Sequence, residues 1–135
     1  MARRTAVSAR ILLINPKYAH NVGAVVRAAS CYSAESVRWT GKRVKSKEDA
    51  RERLPREERM KQYQEVDFSL TDRPFEGYPK GVTPVAIELL PNCESLHAFE
   101  HPEDALYVFG PEDGGLTGVT LRHCHGSWPY PPCTA

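Results

Sequence analysis

Two separated stretches hold residues that could do chemistry. The first is Asn15–Tyr32, NPKYAHNVGAVVRAASCY, in which Asn21, Gly23, Arg27 and Ala29 share one predicted helix. An arginine stays protonated in ordinary settings, so it acts best by holding a phosphate or stabilising a developing alkoxide. The second is Val108–Gly118, VFGPEDGGLTG, with Gly110, Glu112, Gly115 and Leu116. In the first stretch, Gly23 in the helix's first turn would let another backbone or a ligand come close. The first stretch also has a plainer reading, a capped amphipathic helix whose Arg27 is merely solvated.

Other chemistries are poorly served. No GxGxxG follows the first strand, and the glycine-rich loop lacks the Lys-Ser/Thr of a phosphate-binding P-loop. No serine or cysteine sits on a nucleophile elbow. His123, Cys124, His125 and Cys133 offer four metal donors. Adjacent residues seldom aim at one ion and no second shell is supplied, so no metal is expected.

Elements must position these residues. Arg10–Asn15 reads as a short buried strand ending in Asn-Pro, followed by a helix over Asn21–Ser33 with Asn21 as its N-cap. Ser36–Trp39 is a second strand, closed by Thr40-Gly41. Ser46–Leu54 is helical, with Ser46 as N-cap and Asp49 completing a weak capping box, and Arg56–Gln64 resumes as helix after Pro55. Val66–Leu70 is a strand, residues 71–81 are loop, and Thr83–Leu90, TPVAIELL, is a buried strand. Glu94–Phe99 forms a helical turn or two before the last strand, Ala105–Phe109. Apolar runs alternating with helical patterns predict an α/β fold with a mostly parallel sheet flanked by helices. In such sheets ligands bind beyond the carboxyl ends of the strands. Those ends are Asn15 onward, Leu89-Leu90 onward and Gly110 onward.

The chain has 135 residues, the size of one domain with its own core. No apolar run approaches a membrane span. The start, MARRTAVSAR, lacks a signal peptide's apolar core, and strand-like sequence begins by Arg10, leaving little for a transit peptide. Four cysteines without a CxxC pair suit reduced thiols in a cytoplasm. Net charge of +1 conceals an asymmetry. Lys42–Lys61 has nine Lys/Arg against five Asp/Glu, net +4, so the remainder carries −3. The segment opens at Trp39 and closes at Tyr63, and cations beside aromatics suit a phosphate backbone and unstacked bases. Asp49/Arg53 and Glu52/Arg56 are equally spaced for pairs on a solvated helix.

Asn-x-Gly-x-x-x-Arg, then Phe-Gly-x-Glu-x-x-Gly-Leu about eighty residues on, resemble motifs 1 and 2 of the SpoU/TrmH-like RNA 2′-O-ribose methyltransferases, of the SPOUT or α/β-knot class. The likeness covers Arg10 to about Arg122. It implies a single knotted methyltransferase domain over residues 1–135, acting on tRNA or rRNA with S-adenosyl-L-methionine as cosubstrate. By that resemblance Arg27, Asn21 and Glu112 are catalytic, with Arg27 on the ribose side and Glu112 fixing the loop. Leu89, Leu90, Gly110, Gly115 and Leu116 bind the cosubstrate, mainly through backbone, and a side chain at Gly110 would strike it. Lys42, Arg43, Lys45 and Lys47 are the RNA-binding candidates from the basic segment. A homodimer is expected if the C-terminus is complete, with no membrane contact.

The resemblance fails at the end. The family's third motif runs apolar-Ile-Pro, then Ser-Leu-Asn and a closing helix that threads the knot. Here the chain reads GSWPYPPCTA after His125, and Pro129, Pro131 and Pro132 forbid a helix. The domain is therefore expected to be truncated or altered after about residue 125, with an incomplete knot. One register over, the permitted codons for Gly126–Ala135 can spell an apolar-Ile-Pro run ending in serine, so a frameshift near His125 and Gly126 is expected. Sequencing the coding DNA past that point checks it. The rival reading is a non-catalytic RNA-binding or assembly module of the same fold. Calorimetry with S-adenosylmethionine separates the two, because only the enzyme binds it.

Overall fold

The molecule was analysed as a computed structural model, which describes residues 8–52, 66–88 and 95–124. The apolar run near the start becomes the centre of a five-stranded sheet. β1 (Ser8–Leu13) lies between β2 (Ser36–Trp39) and β5 (Asp104–Phe109), with β3 (Asp67–Leu70) outside β2 and β4 (Thr83–Ile87) outside β5. All four pairings are parallel. Register aligns Leu13 with Trp39 on one side and with Phe109 on the other, which brings three strand ends level. Pro84 is accommodated because β4 is an edge strand in the order β3-β2-β1-β5-β4, where one ladder N–H is dispensable.

Period-two alternation divides the core between the two faces. Leu13, Val37, Trp39 and Phe68 pack under α1 (Ala19–Tyr32) and α2 (Lys47–Glu52), against Val22, Val26, Ala29 and Ala50. Leu12, Ala86, Leu106 and Val108 point the other way, where α3 (Gly118–Arg122) adds Leu121 and the loop of residues 71–82 adds Phe75, Tyr78 and Val82. That loop is pinned by Arg38, whose guanidinium lies 4.3 Å from the Tyr78 ring centre and donates to the Glu76 carbonyl at 3.0 Å. Covering both faces is what an all-parallel sheet requires. The expected α/β class, with a mostly parallel sheet flanked by helices, is the observed one.

Four local expectations are corrected. The first helix begins at Ala19, so its cap position falls on Tyr18, which makes no side-chain cap bond, and Asn21 lies inside the first turn. β4 ends at Ile87, while Leu89 and Leu90 fall outside the described residues. Ser95–Phe99 is a turn: the Ser95 carbonyl accepts from both Ala98 and Phe99, and no helical run follows. Trp39 is fully buried, its indole N–H donating to the Val44 carbonyl at 2.9 Å, so it offers no face to an RNA base. Ser46 does cap α2, accepting from the Asp49 N–H at 3.1 Å, while the Asp49 carboxylate reaches the Lys45 N–H. The second helix over Arg56–Gln64, the aromatic Tyr63 and the tail after Cys124, with the knot it bears on, lie outside the described residues.

Candidate active site

Three loops meet where β1, β2 and β5 end. The turn after β1 begins with Asn15 in the left-handed region at φ 49°, its N–H donating to Thr40 Oγ1 at 2.9 Å. Gly41, at φ +95°, packs directly on the Asn15 side chain, and any Cβ there would collide with it. Thr40-Gly41 is therefore more than a strand breaker, because it seats the first loop against the second.

Glu112 joins the first loop to the last. Its Oε2 accepts from Asn21 Nδ2 at 2.7 Å and from the Tyr18 N–H at 3.3 Å, and its Oε1 accepts from the Lys17 N–H at 2.7 Å. A carboxylate from another loop thus sits at the positive end of α1, holding the amides of Lys17 and of the cap residue Tyr18 together with the Asn21 side chain. Partial burial alone would push the Glu112 carboxyl up. The Asn21 amide and the Lys17 and Tyr18 N–H groups outweigh it and hold the group below the usual carboxylate range. Asn21 and Glu112 stand 91 positions apart, yet they form one hydrogen-bonded unit.

The glycine-rich loop closes on itself. A Cβ at Gly110 would lie 3.1 Å from the backbone of both Gly115 and Leu116. A side chain there would press on the chain's own backbone, whatever the loop binds. Gly115 faces Glu88, whose Oε2 accepts from the Leu116 N–H at 2.6 Å, and the Leu116 side chain is buried in the core. Glu88 was not anticipated. Its signal was a lone acid in the apolar run TPVAIELL, just beyond the end of β4.

Arg27 is exposed on α1, beyond Asn21 by more than a helical turn. It does not line the cavity of about 440 Å³ that runs beneath Asn21, Gly110 and Glu112 along Ala24, Val25, Ala28 and Phe109. Of the basic candidates, Lys42, Arg43, Lys45 and Lys47 are all exposed, on either side of buried Val44. Lys47 lies over the Phe68 ring at 5.2 Å. Arg43 is the one that reaches the site, donating to Asp113 and to the Asn15 carbonyl. The Arg43 hydrogen bond and charge hold the Asp113 carboxyl below its ordinary range, and Asp113 raises the guanidinium in return. A second unanticipated feature is an aromatic pair. Tyr18, 44% exposed, stacks on His20 with ring centres 5.4 Å apart, and Lys17 Nζ is 5.3 Å from the tyrosine ring. Its signal was the alternating Tyr-x-His beside Lys17.

Among the described residues no three His, Cys, Asp or Glu side chains are grouped to hold a metal, and no helix is long and apolar enough to cross a membrane. His123 stacks on Phe75 at 4.6 Å, and Cys124 is buried with its thiol pushed up to about 12. His125 and Cys133 lie outside the described residues.

Among solved structures, one concerned with 2-OH methylation of C/U34 on tRNA is 21% identical, with a TM-score of 0.70. It covers 96% of this chain and 81% of its own. An AdoMet-bound rRNA methyltransferase from Sinorhizobium meliloti is 16% identical at a TM-score of 0.71, covering 97% of this chain and 49% of its own. The SpoU methyltransferase AviRb from Streptomyces viridochromogenes, in complex with AdoMet, is 16% identical at 0.70, covering 98% and 51%. The chain spans about half the length of these last two, and at such identities the likeness is one of fold. A search of the curated proteins finds no match. The family model of the SpoU rRNA methylases matches residues 8–129, nearly the whole chain and both glycine-bearing stretches. With the parallel sheet and the joined Asn21 and Glu112 loops, that match makes the chain a member of the SpoU rRNA methylase family, a family of RNA methyltransferases.

Proposed function

We propose that the protein is an S-adenosylmethionine-dependent ribose 2′-O-methyltransferase of tRNA or rRNA, working in the cytoplasm. The observation that carries this reading is the Glu112–Asn21 unit. It draws the two motifs, remote in sequence, into one site at the carboxyl ends of a parallel sheet.

The residues present fit the cosubstrate. Gly110 and Gly115 keep side chains off the end of β5, and the partly exposed Phe109 beside them offers an apolar face. Leu116 contributes through its position in the loop, since its side chain is buried and its N–H is held by Glu88. Leu89 and Leu90 follow directly on Glu88 in sequence. S-adenosylmethionine supplies a methyl group on a sulfonium, already electrophilic.

The chain's own task is to align a ribose 2′-hydroxyl and to ease loss of its proton. Arg27, exposed on the helix that Asn21 and Glu112 fix, stabilises the oxygen as negative charge develops, or holds the adjoining phosphate. Glu112 orients Asn21 and the start of α1. Lys42, Lys45 and Lys47 grip the RNA backbone, and the exposed Tyr18–His20 pair offers a surface on which an unpaired base can stack. A homodimer is the proposed assembly.

Arg27→Ala, assayed with a tritiated methyl donor on bulk tRNA, should abolish transfer and leave S-adenosylmethionine affinity nearly intact. Lysine should not rescue it, because the planar fork is lost. Wild-type turnover in either variant would overturn the assignment. RNA binding without any heat from S-adenosylmethionine would favour the non-catalytic module.

A further inference from the structure

We infer that Arg43 is a positioning residue of this site, clamping the acidic loop against the loop after β1, and that it makes no RNA phosphate contact. The inference rests on the methyltransferase reading and adds a role that reading does not contain. Arg43 shares its charge with its lysine neighbours, but its geometry separates it from them. Nη1 donates to Asp113 Oδ2 at 2.8 Å, and Nη2 donates both to Asp113 Oδ1 at 3.1 Å and to the Asn15 carbonyl at 2.7 Å. The planar fork is thus engaged with a carboxylate in the two-point geometry that favours arginine. One further bond reaches a carbonyl whose direction is fixed by the left-handed turn at Asn15 and its bond to Thr40.

Three loops are tied by this one side chain. Val44, buried next to it and accepting from the Trp39 indole, anchors the loop from which Arg43 reaches. Asp113 directly follows Glu112, so holding Asp113 also holds the carboxylate that organises Asn21, Lys17 and Tyr18. A phosphate approaching Arg43 would have to displace the Asp113 carboxylate already on both of its terminal nitrogens, a carboxylate that Lys17 Nζ faces at a looser 3.9 Å. Phosphate and carboxylate, as like charges, repel. An exposed ion pair adds little to global stability, so the consequence is the shape of the loops rather than the survival of the fold.

The full chain carries the test, as wild type, Arg43→Ala, Arg43→Lys, Asp113→Asn, the double Arg43→Ala/Asp113→Asn, and the exchange Arg43→Asp/Asp113→Arg. If Arg43 positions the loop, Arg43→Ala and Asp113→Asn should each lower kcat or S-adenosylmethionine affinity about ten-fold. That is short of the roughly hundredfold cost of a 1 Å misplacement. The double variant should be no worse than either single, Arg43→Lys should fail to rescue, and the exchange should recover part of the loss. KM for RNA and the salt slope of RNA binding should not move. A shallower slope in Arg43→Ala with tighter RNA binding in Asp113→Asn would identify a phosphate contact and overturn the inference. Wild-type behaviour throughout would also overturn it.

Should the wild-type chain neither bind S-adenosylmethionine nor transfer methyl, the methyltransferase reading fails but the clamp is still measurable. Amide exchange at Lys17 and Leu116 should then accelerate together in Arg43→Ala and in Asp113→Asn. Removing the Arg73–Glu76 pair, outside the site, should leave both amides unchanged. Exchange unaffected by the site variants overturns the clamp by itself.

Discussion

The acidic loop of residues 110–116 and the basic stretch of residues 42–47 are both short, charged and exposed, but they are built on opposite principles. In the acidic loop the charges face inward to other loops. Glu112 collects three donors from the start of α1, and Asp113 is gripped by Arg43. In the basic stretch one apolar residue, Val44, does the anchoring, and Lys42 and Lys45 are left on the surface. Charge that is consumed inside a structure shapes it. Charge that is left outside is available to a partner. Arg43 belongs by sequence to the second region and by its contacts to the first.

Breaking the acidic loop should have the largest effect. Gly110→Ala places a methyl 3.1 Å from the backbone of Gly115 and Leu116, which cannot swing aside as a side chain can. We expect a stability loss of about 1–3 kcal/mol, typical of overpacking, and loss of methyl transfer. Gly115→Ala should be milder, because its new methyl meets the carboxylate end of Glu88. Thermal melts of the two variants check the order, and equal losses would mean that the loop yields as a whole.

Removing Glu112 comes next. Glu112→Gln weakens charge-assisted bonds to Lys17 and Tyr18, and about 1 kcal/mol is expected at neutral pH given the exposure of these bonds. Folding lowers the Glu112 pKa, so its contribution is full above the unfolded carboxylate value and disappears as pH falls through the folded one. The gap in melting temperature between wild type and Glu112→Gln should close in acid. A gap constant from neutral pH down to strong acid would show that the charge does nothing.

Neutralising Lys42, Lys45 and Lys47 should leave stability almost untouched and flatten the dependence of RNA affinity on salt. The expected change is a slope reduction of roughly 0.7–0.9 for each phosphate that is no longer neutralised. An unchanged slope would make the basic stretch a solvated surface. The smallest effect concerns thiols. Cys31 is exposed, whereas Cys124 is buried and held protonated, its Sγ donating to the Thr120 carbonyl at 3.6 Å. Alkylation in mild base, read by peptide mass spectrometry, should modify Cys31 well before Cys124 without unfolding the chain.

Local apolar periodicity and turn chemistry suffice to read the sheet class and four of the five strands to within about two residues, while the two motif stretches are legible through their family resemblance. The same periodicity places Arg27 on the exposed side of its helix. Pairings across distance are not legible in this way. Asn21 reads as a helix cap because an Asn before an apolar stripe usually is one, yet the helix begins at Ala19 and the Asn21 amide turns to a carboxylate from a loop 91 residues away. Trp39 looked like an RNA-stacking aromatic because it adjoins a basic run, but the sheet needed its bulk and Val44 took its N–H. Arg43 was indistinguishable from Lys42 by charge. Its separate role came from the level ends of three parallel strands, which put Asn15, Arg43 and Asp113 within reach of one another. A one-dimensional pattern records which residues can bond, and the register of the sheet decides which of them meet.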